Sequence, residues 1–590
     1  MNRMLRLAAV FLGLAVASPC LAAVSVTVTP MTGTLAPLAT EQLHATVTGS
    51  SNQNVTWMVN GIPGGAASIG LVSASGLYTA PADVAAATTV AIEAQADAAT
   101  LINGTAAITL TPGTTKGPVF VVAPTGKDTN PGSLGSPWRT IQHAVSTVPA
   151  GATIEVRAGT YNELVTITRS GSAAAGFLTL KAYPGESPII DGTGLGIPNG
   201  ENGLVTITGA SFVRLQGFEI RNYKSASSAL DPVGIYIYGS GSHIEILENH
   251  IHDIVTTVTT SAGDALGIAV YGDSATPLEG VIIDGNELDH LITGFSESLA
   301  LSGNVVDFQV TGNQIHDNDN IGIDMAGYEQ VAPTAYDRAR HGWVAGNSVY
   351  AITSKTNPAY QGSLGADGIY VDGGTDIVIE RNLVHDTDIG IEAASEHKAK
   401  FATEVTIRNN IVYHSPLVGL SIGGYSAGVG GTESCVIVNN TLFDNDTTQS
   451  GSGEFQIQFH ASGNVIRNNI LDANAQGLLI NSFVPQTAAP ASLNDDLYDS
   501  SAGAANSTWV WRNVTFGTLA KFQKATGNDH AGHFAAPLFA DIATFNFHLL
   551  TGSPAIGTGE PLPLAWAGLT DFAGKPRGAG GKIDIGALED

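Results

Sequence analysis

A chain of 590 residues with 70 glycines, 43% hydrophobic and only 13% charged residues reads as an all-β protein with many turns. Helical bundles, coiled coils and disordered tails are excluded by the same figures, since the apolar content is ample for a large core. The net charge of -27 excludes a nucleic-acid partner, and two cysteines, Cys20 and Cys435, exclude a disulfide framework. Length alone suggests about four domains, but a repeat fold breaks that quotient.

Residues 1–23 carry Arg3 and Arg6, an apolar run from Leu7 to Ala17 and small residues up to Ala23. That is the pattern of a secretory signal, too short for a membrane helix, so a secreted, periplasmic or cell-surface protein is expected. Pro19 ahead of Cys20 argues against lipid attachment there. No later segment is apolar and long enough to span a membrane.

Residues 24–112 offer short alternating strands at Val24–Thr29, Gln42–Thr48, Val55–Asn60, Leu71–Thr79, Thr89–Ala94 and Ala106–Thr111, with Trp57 a core candidate. This spacing predicts a small β-sandwich. The stretches VTWMVNG and SASGLYTAP resemble bacterial immunoglobulin-like modules, which implies a spacer or, second, a binding module. Residues 113–117 are read as a linker. Behind Pro137, Ile141, Ala144, Val145 and Val148 recur at helical spacing, predicting one amphipathic helix. This opening resembles the capped N-terminal end of secreted right-handed parallel β-helices, where a helix shields the first exposed coil.

Within residues 118–527 an Asn followed by apolar residues recurs at Asn249, Asn286, Asn313, Asn347, Asn382, Asn410, Asn440 and Asn469. Intervals never shorter than about 27 residues, with variable excess, predict coils of three short strands with loops inserted at corners. The stacked Asn side chains are read as structural. The His-Asp pairs that follow, such as His252–Asp253, His316–Asp317 and His385–Asp386, are read as corner residues ahead of a zinc site.

A second column follows each Asn: GIYIYG from Gly234, GIAVYG from Gly267, SLALSG from Ser298, GIDMAG from Gly322, GIYVDG from Gly368, GIEAAS from Gly390, GLSIGG from Gly419 and EFQIQF from Glu454. The second and fourth residues of each belong to the core, and the third and fifth are expected to face solvent. That outward set is Tyr236, Tyr238, Tyr271, Ser302, Asp324, Tyr370, Asp372, Glu392, Ser421, Gln456 and Gln458. Aromatic rings beside carboxylates and amides suit a sugar-binding groove. Asp324, Asp372 and Glu392 come from three successive coils and are the catalytic candidates. Parallel strand spacing puts Asp372 and Glu392 on a diagonal, with carboxylates roughly 5–9 Å apart, while Asp324 and Glu392 share a column at about 9.6 Å. These distances span both retaining and inverting glycoside hydrolysis.

The run from Gly368 to Asn410 resembles the active-site coils of β-helix β-xylosidases among glycoside hydrolases. The resemblance implies Asp372 as nucleophile, Arg381–Asn382 as the turn, Glu392 as acid/base and His397 as a nearby counterpart. The Trp that flanks the family's Asp is replaced by Val371 and Gly373. The run EAASEHKAK also resembles β-helix polysaccharide lyases, which implies Glu392 as a Ca2+ ligand and Lys398 as base, although the Arg expected on the next coil is missing. A hydrolase without metal or cofactor is the first expectation, a Ca2+-dependent lyase the second and a non-catalytic carbohydrate-binding or adhesive surface protein the third. Tyr236, Tyr238, Tyr271, Tyr370, His397, Gln456 and Gln458 are the expected substrate contacts, and a monomer acting on poly- or oligosaccharide is expected. Residues 528–590 resemble the segment that follows β-helix domains of many secreted bacterial proteins. They are expected to close the last coil, with Lys575 and Arg577 paired to Asp571 or Asp584. Cys435 is read as an inert core residue.

Overall fold

In the computed structural model, which describes residues 24–590 apart from 67, 82, 85, 97–101, 115–116, 199, 487 and 579–581, the repeat becomes a right-handed parallel β-helix. The proposed signal, with Cys20, lies outside the described residues. Three sheets run the length of the solenoid: one of 17 strands from Val119–Val122 to Ala491–Asn494 and two of 13. The first 13-stranded sheet begins at Gly159–Tyr161. The second, called here the cleft sheet, begins at Val165–Ile167 and ends in an antiparallel pair, Thr508–Trp511 with Val514–Phe516. Core residues alternate as the period of two requires: Ile369, Val371, Ile391, Ala393, Leu420 and Ile422 are fully buried along the axis.

The turn between the 17-stranded sheet and the next strand is set by two residues. The first adopts the left-handed conformation, as at Gly285 (φ 66°), Gly312 (φ 62°), Arg381 (φ 54°), Asn409 (φ 55°) and Asn439 (φ 55°). The second is the ladder Asn. Each ladder Asn donates its backbone N–H and its side-chain amide to Oδ1 of the next, at 2.9–3.0 Å, from Asn249 through Asn286, Asn313, Asn347, Asn382, Asn410 and Asn440 to Asn469. The same amide bonds a carbonyl of the coil before, as Asn382 does with Val344 at 3.0 Å. Buried polar groups in a turn must find partners, and one side chain per coil here takes part in four bonds, as at Asn382. The ladder continues into Asp496, which accepts from Asn469, and Asp529, which accepts from the Asp496 N–H.

The N-terminal end is covered by the expected helix, Ile141–Thr147, capped by Thr140 and burying Ile141, Ala144 and Val145. The opposite end is closed by the helix Leu519–Thr526, whose Phe522 packs edge-on against Trp511 and Phe516 in the main core. Of residues 528–590, expected to close the last coil, His533–Phe534 do add the final strand to the first 13-stranded sheet, while the stretch beyond lies along the side of the solenoid. Phe539, Phe547, Leu549, Ile585 and Leu588 pack on Ile411, Tyr413, Ile470 and Leu497. The left-handed turn residues hold that segment: Asn409 bonds Ala567 and Thr570, Asn439 bonds Asp584 and Asn468 bonds Glu560. Arg577 pairs with Glu589 at 2.8 Å, bonds Asn409 and donates to the Asp584 carbonyl at 3.2 Å, and the Lys575 ammonium bonds the Glu589 carbonyl, so Asp584 is met through its backbone and the carboxylate partner is Glu589. The docking of the tail explains the change, because Arg577 is consumed by the turn it covers.

Residues 25–114 form a β-sandwich with its own core around Trp57, Tyr78, Ile92 and Ile108. It lies against the 17-stranded sheet rather than standing off as a spacer: Gln309 donates to the Gly65 carbonyl at 2.8 Å, and Gly61 approaches Leu569 too closely for a Cβ. The His-Asp corners are occupied structurally. His316, Tyr350, His385 and Tyr413 stack in sequence at 4.7, 5.1 and 4.7 Å, each His also bonded to the Asp beside it. Cys435 is fully buried, and burial pushes its thiol up to about 12. No helix among the described residues is long and apolar enough to cross a membrane.

Replacing Asn382 with Ala removes four bonds and strands the Asn347 backbone N–H and the Val344 carbonyl in a dry turn. A loss of about 1–3 kcal/mol is expected, read as a lower chemical-denaturation midpoint. Asn222, left-handed but off the ladder, should cost less when changed to Gly.

Candidate functional site

The strands of the cleft sheet put Asp324, Tyr370, Glu392, Ser421 and Gln456 in one registered column, one residue per coil. Asp372 is registered with Ala394, so it sits on the diagonal from Glu392, as the strand period requires. The column does not face open solvent. Asp324, Tyr370, Asp372 and Glu392 are only 4–7% exposed, and Ser421 is fully buried. Sequence patterning expected an exposed face. Loops at the strand ends wall it instead: Gly327 donates to the Asp372 carbonyl at 2.6 Å, and Arg338 ties that turn to the carbonyls of Gly373, Gly374 and Phe401.

Glu392 is the most closely held of the three acids. Ser421 Oγ donates to its Oε1 at 2.9 Å and Gln458 Nε2 at 2.7 Å, while Asp367 shares a further hydrogen bond with it. Burial, opposed by Ser421, pushes its carboxyl up to about 7. Asp372 accepts the Glu396 N–H at 2.8 Å, and burial, then Glu396, drive its carboxyl well above the ordinary range. Asp324 is raised likewise by burial, then by Glu297 and Asp372, and its Oδ1 has no partner among the described residues. Glu297 is pushed up to about 8 by desolvation, then by Asp264 and Glu329.

Four of these acids, Glu297, Glu329, Asp367 and Glu396, were not read from the sequence. Asp367 and Glu297 stand immediately before the recurring strand motif, and Glu396 lies four residues after Glu392, so adjacency to the motif was the available signal. Glu329 arrives from the loop after the Asp324 strand and meets His397 at 2.6 Å. Glu329, Asp372 and His397 each offer a ligand atom within 4.8 Å of the others, a set able to hold a cation. A second group, His250, Glu287 and Asp289, lies on the other 13-stranded sheet, with His250 bonded to Asp289 at 2.9 Å.

Tyr370 is buried between Asp324 and Glu392 in the register. Tyr236 stacks on Tyr238 at 4.8 Å, meets Tyr271 edge-on at 5.8 Å and donates to Glu201. This cluster stands two coils (Tyr271) to three coils (Tyr236 and Tyr238) from Asp324, about 10–14 Å along the axis. Gln456 is half-buried beside Ser421. Lys398 is exposed on the turn after the Glu392 strand, and Lys400 lies 4.8 Å over the Tyr328 ring.

The model of the Pel9A-like right-handed β-helix region matches residues 120–264, and that of the right-handed β-helix region matches 233–430 and 343–516. The chain is 37% identical over 439 residues to the uncharacterized protein YwoF of Bacillus subtilis, covering 74% of this chain and 92% of the relative. It is 34% identical over 166 residues to the pectate lyase PEL9 of Emericella nidulans, covering 26% of this chain and 36% of that one. Among solved structures, pectate lyase Pel9A is 14% identical with a TM-score of 0.42, covering 80% of this chain and 96% of that one. XylC in complex with xylose is 12% identical with a TM-score of 0.46, covering 80% and 99%.

Carboxyls raised by burial make the fold less stable as pH rises. Glu392 and Glu297 bind protons more tightly folded than unfolded, so their contribution is complete below about 4.5 and is lost as pH climbs through about 7 and about 8. Glu392→Gln and Glu297→Gln are therefore expected to raise the thermal midpoint at pH 8.5 and leave it nearly unchanged at pH 4, as differential scanning calorimetry would show.

Proposed function

We propose that this chain, which belongs to the right-handed β-helix family that includes YwoF, is a polysaccharide-degrading glycoside hydrolase acting outside the cytoplasm. The reading is carried by Glu392, a buried carboxyl held near 7 at the centre of the cleft, with a second carboxyl, Asp372, on its diagonal. A glycosidase needs one acid protonated at working pH and another that ionises against the sugar. Glu392 would protonate the leaving oxygen, its orientation set by Ser421 and Gln458. Positive charge developing at the anomeric carbon would favour ionised Asp372, which acts there directly or through water. Asp324, one of whose oxygens has no partner among the described residues, stands two coils from Glu392 and would bear on the adjoining sugar hydroxyls. The column from Asp324 to Gln456 carries acids, a hydroxyl, a phenol and an amide, and no amine base. The leader pattern in residues 1–23 supports export.

The Pel9A-like match and the pectate lyase relative favour a second reading, a Ca2+-dependent lyase on uronate chains. The oxygen donors of Glu329 and Asp372, with His397 beside them, would take a divalent cation that offsets the uronate charge, and Lys398 would serve as base. The matched stretch, 120–264, precedes the acidic column.

Glu392→Gln and Asp372→Asn should each lower kcat by about 10²–10⁴-fold in reducing-end release from a glycan panel. The wild-type rate should fall above about pH 7, where Glu392 loses its proton. An unsaturated, ultraviolet-absorbing product that vanishes with chelator and with Lys398→Ala would replace the hydrolase by the lyase.

A further inference from the structure

The aromatic residues of the cleft sheet do not offer a free ring beside Glu392, since Tyr370 is buried and the Tyr236 cluster lies several coils away. Two other aromatic surfaces do reach the acids, and both come from loops. Phe295, 43% exposed, stacks on Tyr360 with ring centroids 4.7 Å apart and planes 19° from parallel. Tyr425, 59% exposed, stands on the turn after the strand Val418–Ile422. Tyr360 lies within electrostatic reach of Glu297, Asp367 and Glu396, and Tyr425 within reach of Glu396 and Asp372. Phe295 and Tyr360 precede the cleft strands, whereas Tyr425 follows one, so the two surfaces flank the carboxyls from opposite strand ends.

The Phe295–Tyr360 pair is built rather than incidental. Its two loops are pinned by buried polar groups. The Asp388 carboxylate, fully buried, accepts from Ser354 N and Oγ, Gly365 N and Ala366 N, which fixes the loop carrying Tyr360. Asn357 on that loop donates to the Gly294 carbonyl, beside Phe295, at 2.6 Å and to the Asp319 carbonyl at 3.0 Å. Asn320 holds Ser296 at 2.8 Å. Rigid aromatic surface at a polar cleft is the chemistry that binds the C–H face of a pyranose, because the ring supplies apolar contact with little entropy to lose.

We propose that the Phe295–Tyr360 pair is the stacking platform for a pyranose ring of the substrate chain, with Tyr425 the opposing wall across the carboxyl cleft. The assignment rests on the carbohydrate-cleaving reading above and deepens it: a polysaccharide is recognised by ring stacking from loop residues, while the sheet supplies the reacting carboxyls.

The test uses the full chain carrying Glu392→Gln, titrated calorimetrically with xylohexaose and with hexagalacturonate, alone and combined with Phe295→Leu, Tyr360→Ala, Tyr360→Phe or Tyr425→Ala. Phe295→Leu and Tyr360→Ala are expected to weaken binding of the bound probe about tenfold or more, Tyr425→Ala less, and Tyr360→Phe little, with thermal midpoints unchanged. In the active chain the same changes should raise KM more than they lower kcat. Phe295→Leu is the variant that keeps apolar packing, so an affinity loss there reports the ring itself. Unchanged affinity in Phe295→Leu and Tyr360→Ala, or no binding of either probe, would overturn the platform. The cleavage reading fails separately, if the wild-type chain binds a probe and leaves it intact.

Discussion

Everything in the solenoid hangs on one repeated interaction, the amide of one asparagine bonded to the carbonyl oxygen of the next. A parallel sheet has no hairpins, so every coil must turn three times and bury the polar groups of each turn. The ladder answers this at one corner, with each Asn closing its own turn and the two beside it. Net gains of about 1 kcal/mol per bond are modest singly, but the cost of an unmade buried bond is what holds successive coils in register. Register in turn places Asp324, Tyr370 and Glu392 in line and Asp372 on the diagonal.

The same turn also fastens the C-terminal segment. Left-handed positions favour Gly and Asn, and where Asn409, Asn439 and Asn468 fill them their side chains point outward to backbone of residues 560–584. One residue type thus does two jobs at adjacent positions, inward for the ladder and outward for the tail. The sandwich, the 17-stranded sheet and this segment surround a cavity of about 450 Å³ lined by Met58, Arg408 and Trp566 among others. The described contacts of the sandwich include the 17-stranded sheet, through Gln309, and the C-terminal segment, through Leu569, both away from the acidic cleft.

The cleft is a place where folding stability and chemistry pull in opposite directions. Burying several carboxyls together costs free energy whenever they ionise, and the fold answers by holding protons rather than by supplying cations. Arg338, the cation nearest the turn, is spent on carbonyls, and Arg408 pairs with Glu380 at 2.6 Å on another sheet. A site that keeps its protons near neutral pH is what acid catalysis on a sugar demands.

The alternation of two and the spaced asparagines were enough, read as sequence, to determine the coil, the inward and outward residues and the sharing of one column by Asp324 and Glu392, and apolar residues at helical spacing marked the capping helix at Ile141–Thr147. These are local regularities, repeated so often that noise in any one coil is outvoted. The depth of that column was beyond such reading, because exposure depends on loops of irregular length folding back over the strands. Glu329 and the Phe295–Tyr360 pair belong to those loops, and no period marks them. The lateral path of residues 535–590 was equally hidden, since its partners are left-handed Asn side chains more than a hundred residues away in the chain. Periodicity determines what a coil is, and only packing between distant segments decides what covers it.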